Sequence, residues 1–215
     1  TFCARDGSAS PFRLLDALLI ACRREGVDVR YGTKVLDIGK ANGVFSVAIE
    51  GGKIEAGRVL LCTDWAVPEL LSSLGVKLPV TSLPKEAIVT VPCSPRVKPI
   101  LISLEHKISV NQITRGSIIF VVSRAREGSE IASTPDFLGW AAPKVVDLLP
   151  GVAEVPVLRT WGGVSSVTPD MQPILGETEV EGLYVAVSSY RGFMTSPAVG
   201  RIMSALVLED DTNDP

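Results

Sequence analysis

Apolar residues recur at helical spacing between Pro11 and Gly26, at Leu14, Leu15, Leu18, Leu19 and Cys22. With Ser10 placed to cap the first turn and Gly26 to end the last, this spacing predicts an amphipathic helix. Short runs set off by glycines follow, predicting strands at Val27–Tyr31, Thr33–Ile38, Val44–Ile49 and Arg58–Thr63. In the third, Phe45, Val47 and Ile49 alternate with Ser46 and Ala48, the pattern of a half-exposed strand. Val59-Leu60-Leu61-Cys62 is apolar without a break, which predicts a central strand covered on both faces. A helix is expected after it, through Leu74.

From Leu78-Pro79 onward the pattern changes to consecutive Val- and Ile-rich strands, Glu86–Val91, Pro99–Leu104, Ile108–Ile113 and Ser117–Val122. The last two are joined by Thr114-Arg115-Gly116, which reads as a hairpin turn. Thr134-Pro135-Asp136 opens a helix running to Leu149-Pro150-Gly151, with a kink or restart expected at Pro143, which lacks a backbone donor. A strand is predicted at Val155–Trp161. Beyond it come a Thr168-Pro169-Asp170 turn, a strand at Ile174-Leu175 and another at Gly182–Val187. Val199, Ile202, Met203, Leu206 and Val207 give the final helix a stripe that runs on from Pro197, and the acidic tail from Glu209 to Pro215 is expected to fray.

The 215 residues suffice for one large or two modest domains, and 46% hydrophobic with 21% charged residues is ordinary globular composition. A net charge of -3 offers no basic field for nucleic acid. No apolar segment approaches the roughly eighteen residues of a spanning helix, and the first residues lack a signal-peptide pattern, so a soluble, cytoplasmic protein is expected. Cys3, Cys22, Cys62 and Cys93 are widely spread, without Cys-x-x-Cys, and His106 is the single histidine. No usual zinc set follows, and the cysteines read as buried free thiols. His106 falls beside the predicted hairpin and reads as an exposed turn histidine, with a substrate role as the alternative. No Ser-His-Asp set, metal cluster or P-loop is apparent.

Two segments concentrate chemistry. Leu158 to Gly176 carries Arg159, Trp161, Gly162-Gly163 and the Thr-Pro-Asp turn, and Ser188 to Gly200 carries Tyr190-Arg191-Gly192-Phe193-Met194-Thr195 at a helix start. A planar arginine fork holds a carboxylate better than lysine does. Glycines permit close backbone approach, and a helix N-terminus favours electron-rich groups.

The order of these pieces, with Pro173-Ile174-Leu175-Gly176, Gly182-Leu183-Tyr184-Val185 and Ser196-Pro197-Ala198-Val199-Gly200, resembles the C-terminal half of the flavin-dependent amine and amino-acid oxidoreductases. That family includes D-amino-acid oxidase, glycine oxidase, dye-linked proline dehydrogenase and the sarcosine oxidase beta subunit. The resemblance extends more loosely from Asp6-Gly7 onward. It implies an α/β (α+β) fold: residues 1–78 as a remnant of a Rossmann-like FAD-binding domain, 79–167 as an antiparallel-sheet substrate domain, and 168–215 returning to the FAD-binding domain. Arg159, Trp161, Tyr190 and Arg191 are implied at the substrate. Val35, Thr63, Asp64, Trp65, Gly162, Gly192, Phe193, Met194 and Thr195 are implied at FAD. The implied reaction is hydride transfer to flavin from the carbon next to nitrogen in an amino acid or secondary amine.

The chain departs from the family in three places. Asp64 stands where glycine is usual. Ser188-Ser189-Tyr190-Arg191 has none of the glycines that usually precede the last helix. The G-x-G-x-x-G turn that binds the FAD pyrophosphate is absent. The expectation is therefore the latter part of such an enzyme, with a second chain or a missing N-terminal segment supplying the nucleotide-binding turn. The competing reading is a non-catalytic, flavin-free fragment or interaction subunit.

Overall fold

The computed structural model describes Cys3, Arg5, residues 7–124 and residues 131–209. Its contacts fall into two compact units, one taking in the chain up to Val80 and again from Thr168, the other Thr81–Val167.

In the first unit, α1 (Pro11–Arg24) begins as the sequence predicts, with Pro11 at its first turn and the Ser10 hydroxyl accepting from the Arg13 N–H at 3.5 Å. It ends in a Schellman turn, in which Gly26 takes φ 76° and the Val27 N–H reaches the Cys22 carbonyl at 2.9 Å. None of its residues is buried, and Phe12, Leu15 and Leu18 are more than half exposed. Residues Val27–Tyr31 form no strand, correcting that expectation: their apolar side chains lie exposed and no neighbouring strand takes up the backbone.

β1 (Val35–Ala41), β2 (Val44–Ile49) and β3 (Gly52–Ala56) form an antiparallel meander. Asn42 and Gly43 both have positive φ, the two-residue hairpin turn that suits the twist of the strands. The sequence reading omits β3, whose alternation is masked by Lys53 and Glu55, an exposed ion pair at 2.7 Å. β4 (Val59–Leu61) follows. The stretch to Leu74 divides into a 3-10 turn at Asp64–Ala66, α2 (Val67–Leu71) and a 3-10 turn at Ser72–Leu74.

The second unit is a five-stranded antiparallel sheet covered by a helix. Its elements are β5 (Thr81–Thr90), β6 (Leu101–Ser103), β7 (Ile108–Gln112), β8 (Ile118–Val122), α3 (Phe137–Leu148) and β9 (Val157–Val167), in strand order β6-β7-β8-β5-β9. β5 and β9 are both longer than predicted. They pair from Thr81 with Val167 to Thr90 with Val157, so each extends the other through Pro84 and Gly162-Gly163. α3 passes through Pro143 as one helix, so the expected restart is absent. The carbonyl deprived of its partner belongs to Gly139, which is exposed and open to water. Phe137, Ala141 and Val145 of α3 pack on Ile88, Val110, Ile118, Phe120 and Val122 to form the core of this unit.

The chain then returns to the first unit with β10 (Ile174–Glu177), β11 (Leu183–Val187) and α4 (Gly192–Glu209). β11 lies between an antiparallel β10 and a parallel β4, and all five of its residues are buried. The strand covered on both faces is thus β11. In β4, which has this one neighbour among the described residues, Leu60 is 40% exposed. Ile38, Phe45, Leu61, Val67 and Leu71 join Leu183, Val185 and Val187 in one core, and Tyr184 and Ala186 meet Met203 of α4 in another. The cysteines are free but not buried: Cys3 and Cys62 are exposed, Cys22 and Cys93 half-buried. Partial desolvation just past the end of β4 still raises the Cys62 thiol pKa although the residue is exposed. The expected fraying of the tail falls, beyond Glu209, outside the described residues.

Candidate functional site

Each unit carries part of the predicted residue set. In the first unit, the loop after β4 and the loop before α4 meet through side chains. Asp64 holds φ 53°, the left-handed conformation that glycine adopts without strain and that aspartate tolerates better than most residues. Its carboxylate accepts a hydrogen bond from the Ser188 hydroxyl at 3.2 Å. Ser189 and Tyr190 also have positive φ, 38° and 60°. At all three positions where the family usually has or could use glycine, the chain keeps a glycine-like backbone while carrying a side chain.

A buried clasp holds that backbone. Ser189 is 1% exposed and Thr168, from the Thr-Pro-Asp turn, 2%. The Thr168 N–H donates to Ser189 Oγ at 3.2 Å, and the two hydroxyl oxygens are 2.9 Å apart. Thr168 Oγ1 also lies 2.7 Å from the Gln172 carbonyl oxygen. Asp170 Oδ1 accepts from the Gln172 N–H at 3.0 Å, and this backbone hydrogen bond, with the Thr168 hydroxyl, lowers the Asp170 pKa. The turn therefore fixes the entry to α4 as well as β10. Thr168, Ser188 and Ser189 have no predicted role in the sequence reading; the Thr-Pro-Asp motif was the one available signal.

Arg191 is the N-cap of α4, its carbonyl accepting from the Thr195 N–H at 3.3 Å. The first-turn N–H groups of Gly192, Phe193 and Met194 have no intrahelical partner by helix geometry. A Cβ on Gly192 would stand 2.6 Å from Ser188 Oγ and 3.2 Å from its Cβ, so a side chain there would displace the Ser188 hydroxyl. Tyr190, Phe193 and Met194 are exposed large side chains beside these donors. Donors at the positive end of a helix, flanked by apolar surface, fit the electron-rich edge and the face of a flavin ring. Thr63 is exposed, Trp65 is 38% exposed, and Val35 packs against the core of this unit. A recess of about 200 Å³ beside β10, lined by Val76, Leu78, Ile174 and Glu177, includes none of the predicted residues.

In the second unit, Arg159 and Trp161 lie two apart on β9, so their side chains leave the same face of the sheet. The Arg159 guanidinium is 5.3 Å from the centroid of the Trp161 ring, within cation–π range. Among the described residues Arg159 makes no salt bridge, and it is exposed. Gly162 has a different reason to be glycine: a Cβ there would be 2.5 Å from the Ile131 carbonyl oxygen and 2.8 Å from that of Ala132. The close approach at Gly162 is thus to the chain's own backbone, whereas Gly163 has open space beside it.

Two further polar clusters sit on the α3 side of this sheet. Glu86, 2% exposed, accepts from the Thr134 N–H at 2.6 Å and from the Thr134 and Ser133 hydroxyls at 3.1 and 3.2 Å. Arg124 Nε lies 3.2 Å from Glu86 Oε2, off the line of a hydrogen bond. The same guanidinium bonds Asp136 at 2.9 Å and stands 5.3 Å from the Trp140 ring centroid. The Arg124 hydrogen bond, helped by Thr134, holds the Asp136 carboxyl far below its ordinary range. The second cluster corrects the reading of His106 as an exposed turn residue and of the chain as lacking a Ser-His-Asp set. His106 Nδ1 is 2.9 Å from Ser103 Oγ, and Nε2 is 3.0 Å from Asp147 Oδ2. Ser103 Oγ also accepts from the His106 N–H at 3.2 Å and Asp147 is largely exposed, so the set ties the β6–β7 turn to α3. No group of three or more His, Cys, Asp or Glu among the described residues could hold a metal ion, and no helix of theirs is long and apolar enough to cross a membrane.

Comparison with known proteins agrees with the resemblance seen in the sequence. The family described as FAD dependent oxidoreductase (DAO) matches residues 1–206. The chain is 26% identical over 214 residues to the hydrogen cyanide synthase subunit HcnC of Pseudomonas protegens, covering 95% of this chain and 50% of that protein. It is 26% identical over 216 residues to the sarcosine oxidase subunit beta of an Arthrobacter species, covering 99% and 53%. Among solved structures, L-proline dehydrogenase from P. horikoshii superposes with a TM-score of 0.90 at 26% identity, over 98% of this chain and 58% of the other. Glycine oxidase from Geobacillus kaustophilus gives 0.86 at 21% identity, over 94% and 55%, a likeness of fold. The chain spans about half the length of the curated relatives it matches. It belongs to the DAO family of FAD-dependent oxidoreductases.

Proposed function

We propose that this chain forms part of an FAD-dependent oxidoreductase that oxidises the C–N bond of an amino acid or secondary amine. The observation that carries the reading is Arg159: an exposed guanidinium with no salt bridge among the described residues, braced on Trp161, in a chain whose family match runs from residue 1 to 206. An exposed arginine without a salt bridge among the described residues has its donors available to an external anion, and its planar fork suits a carboxylate. Relatives named D-amino acid dehydrogenase and sarcosine oxidase subunit beta support substrates that carry both a carboxylate and an amine.

In this proposal the sheet of the second unit is the substrate side and the first unit is part of the FAD-binding side. In the second unit Arg159, braced on Trp161, orients the substrate carboxylate so that one C–H bond is presented; in the first unit Tyr190 and Arg191 are the candidate substrate residues. The first-turn N–H groups of Gly192, Phe193 and Met194, with Thr195 next to them, would hold the electron-rich edge of the cofactor, and Val35, Thr63, Asp64 and Trp65 are the other residues that would hold it. FAD, when bound, would accept the hydride: the C–H bond next to nitrogen would break with its electron pair, the nitrogen lone pair would form the C=N bond, the N–H proton would pass to water, and the imine would hydrolyse to a carbonyl compound and an amine or ammonia.

The pyrophosphate-binding turn comes from a preceding segment or a second chain. The apolar stripe of α1, exposed at Phe12, Leu15 and Leu18, and the half-exposed Leu60 of β4 support such a covering partner. Four free cysteines fit a reducing compartment such as the cytoplasm. The flavin-free reading rests on the side chain of Asp64 where glycine is usual, the lack of glycines in Ser188-Ser189-Tyr190-Arg191, and the absence of a G-x-G-x-x-G turn. FAD added to the protein together with the segment or partner that carries the nucleotide-binding turn separates the two: the mixture turns yellow with the flavin absorbance bands and the colour stays with this chain if the proposal holds, and the chain stays colourless if it does not. Arg159→Lys tests the clamp. It weakens turnover of carboxylate substrates by at least about tenfold while sparing simple amines, consistent with losing one bidentate, charge-assisted contact; an unchanged preference removes Arg159 from the site.

A further inference from the structure

We propose that Asp64 is a positioning residue that holds the entry to α4 in shape and places a fixed negative charge beside it. This rests on the preceding reading of α4 as the flavin end of the site. The argument begins with the backbone. Asp64 takes a left-handed φ of 53°, the conformation glycine adopts without strain, and it carries a carboxylate that glycine lacks. That carboxylate accepts from Ser188 Oγ at 3.2 Å. The same hydroxyl oxygen is 2.6 Å from the point a Cβ on Gly192 would occupy, so it is packed against the first residue of the helix. Asp64, Ser188 and Gly192 therefore form one chain of contacts from the end of β4 to the first turn of α4.

On the other flank, Ser189 is held by Thr168 through the 3.2 Å N–H to Oγ bond, and the Arg191 N–H turns back on the Ser189 carbonyl at 2.5 Å. The loop lacks the flexibility glycines would give it, and two consecutive residues at positive φ store strain that these side-chain contacts must hold. Asp64 is the charged member of the set. A carboxylate at the positive end of a helix is favourable in the empty protein. It also opposes any gain of negative charge by a group received at the same N–H donors, so a bound flavin is harder to reduce than it would be with glycine or asparagine at 64.

Two variants separate shape from charge. Ser188→Ala cuts the link and keeps the carboxylate; Asp64→Asn keeps an acceptor of the same shape and removes the charge. In the flavin-free protein, hydrogen exchange at the Arg191 and Thr195 amides quickens about tenfold in Ser188→Ala and in Asp64→Ala, and the double variant is no faster than either single one. Unchanged exchange, or effects that multiply in the double variant, overturns the proposal. In the flavin-loaded protein, Asp64→Asn raises the two-electron midpoint potential by about 30 mV, a tenfold change in the reduction equilibrium, and Ser188→Ala moves it far less. A midpoint that stays put in Asp64→Asn overturns the assignment of the charge. Exchange that responds as stated in a protein that takes up no FAD, with or without the substitutions, supports the hold of Asp64 on the loop and defeats the functional reading instead.

Discussion

Gly162 and Gly163 are neighbours on one strand, and replacing each by alanine should have opposite effects. At Gly162 the added methyl would stand 2.5 Å from the Ile131 carbonyl oxygen and 2.8 Å from that of Ala132, both backbone atoms that cannot rotate aside. Overpacking of this kind costs about 1–3 kcal/mol. Against it stands the gain of about 0.5–1 kcal/mol from replacing glycine by alanine inside a strand. The net expectation is a loss of about 1–2 kcal/mol. At Gly163 nothing lies within 4 Å of the added carbon, so only the gain remains. The two variants should thus differ by about 2 kcal/mol, or about 4–8 °C in melting temperature at the 2–4 °C per kcal/mol usual for chains of this length. Thermal unfolding followed by the fluorescence of Trp140 and Trp161, both in the second unit, reads the difference where it arises. If Gly162→Ala melts within about 1 °C of Gly163→Ala, the close crossing of residues 131–132 over β9 is not the reason for the glycine, and the assignment of Gly162 to internal packing fails.

Asp136, whose carboxyl is held far below its ordinary range by Arg124, should contribute stability that is complete above the unfolded carboxyl pKa of about 3.9 and is lost as the pH falls toward the depressed folded value. Asp136→Asn is therefore less stable than the wild type at neutral pH, with the gap closing in acid; a gap that widens on acidification refutes the sign, and urea midpoints across the pH range measure it. Thr168→Val removes the buried hydroxyl that reaches Ser189 and Gln172 and should cost about 1–3 kcal/mol in chemical unfolding, whereas Thr168→Ser keeps most of it. A Thr168→Val variant as stable as the wild type, with Thr168→Ser destabilised, would show that the methyl packing matters and the hydroxyl does not.

The elements with a local cause were legible in the sequence. α1 has its cap, its proline and its closing glycine within reach of one another, and β2 alternates on a single period. What could not be read were features settled by distant partners. β5 and β9 run past their predicted ends because each supplies the other's ladder, and β4 looked like a central strand because hydrophobicity alone does not tell how many neighbours a strand has. The proline in α3 misled for a similar reason, since the cost of its lost hydrogen bond depends on whether Gly139 faces water. In the candidate site, residue types such as Arg159 and Gly192 were recognisable by order and spacing. Ser188, Ser189 and His106 were not, because their roles come from contacts with residues 124, 21 and 41 positions away.

The first unit is assembled from both ends of the chain, since Val59 of β4 pairs with Leu183 of β11. During synthesis the second unit, drawn from one continuous stretch, has its whole sheet and helix on hand while β4 still waits for a companion. Folding from the ribosome should then start in the second unit, leaving the apolar surface around β4 in need of a chaperone until β10 and β11 emerge.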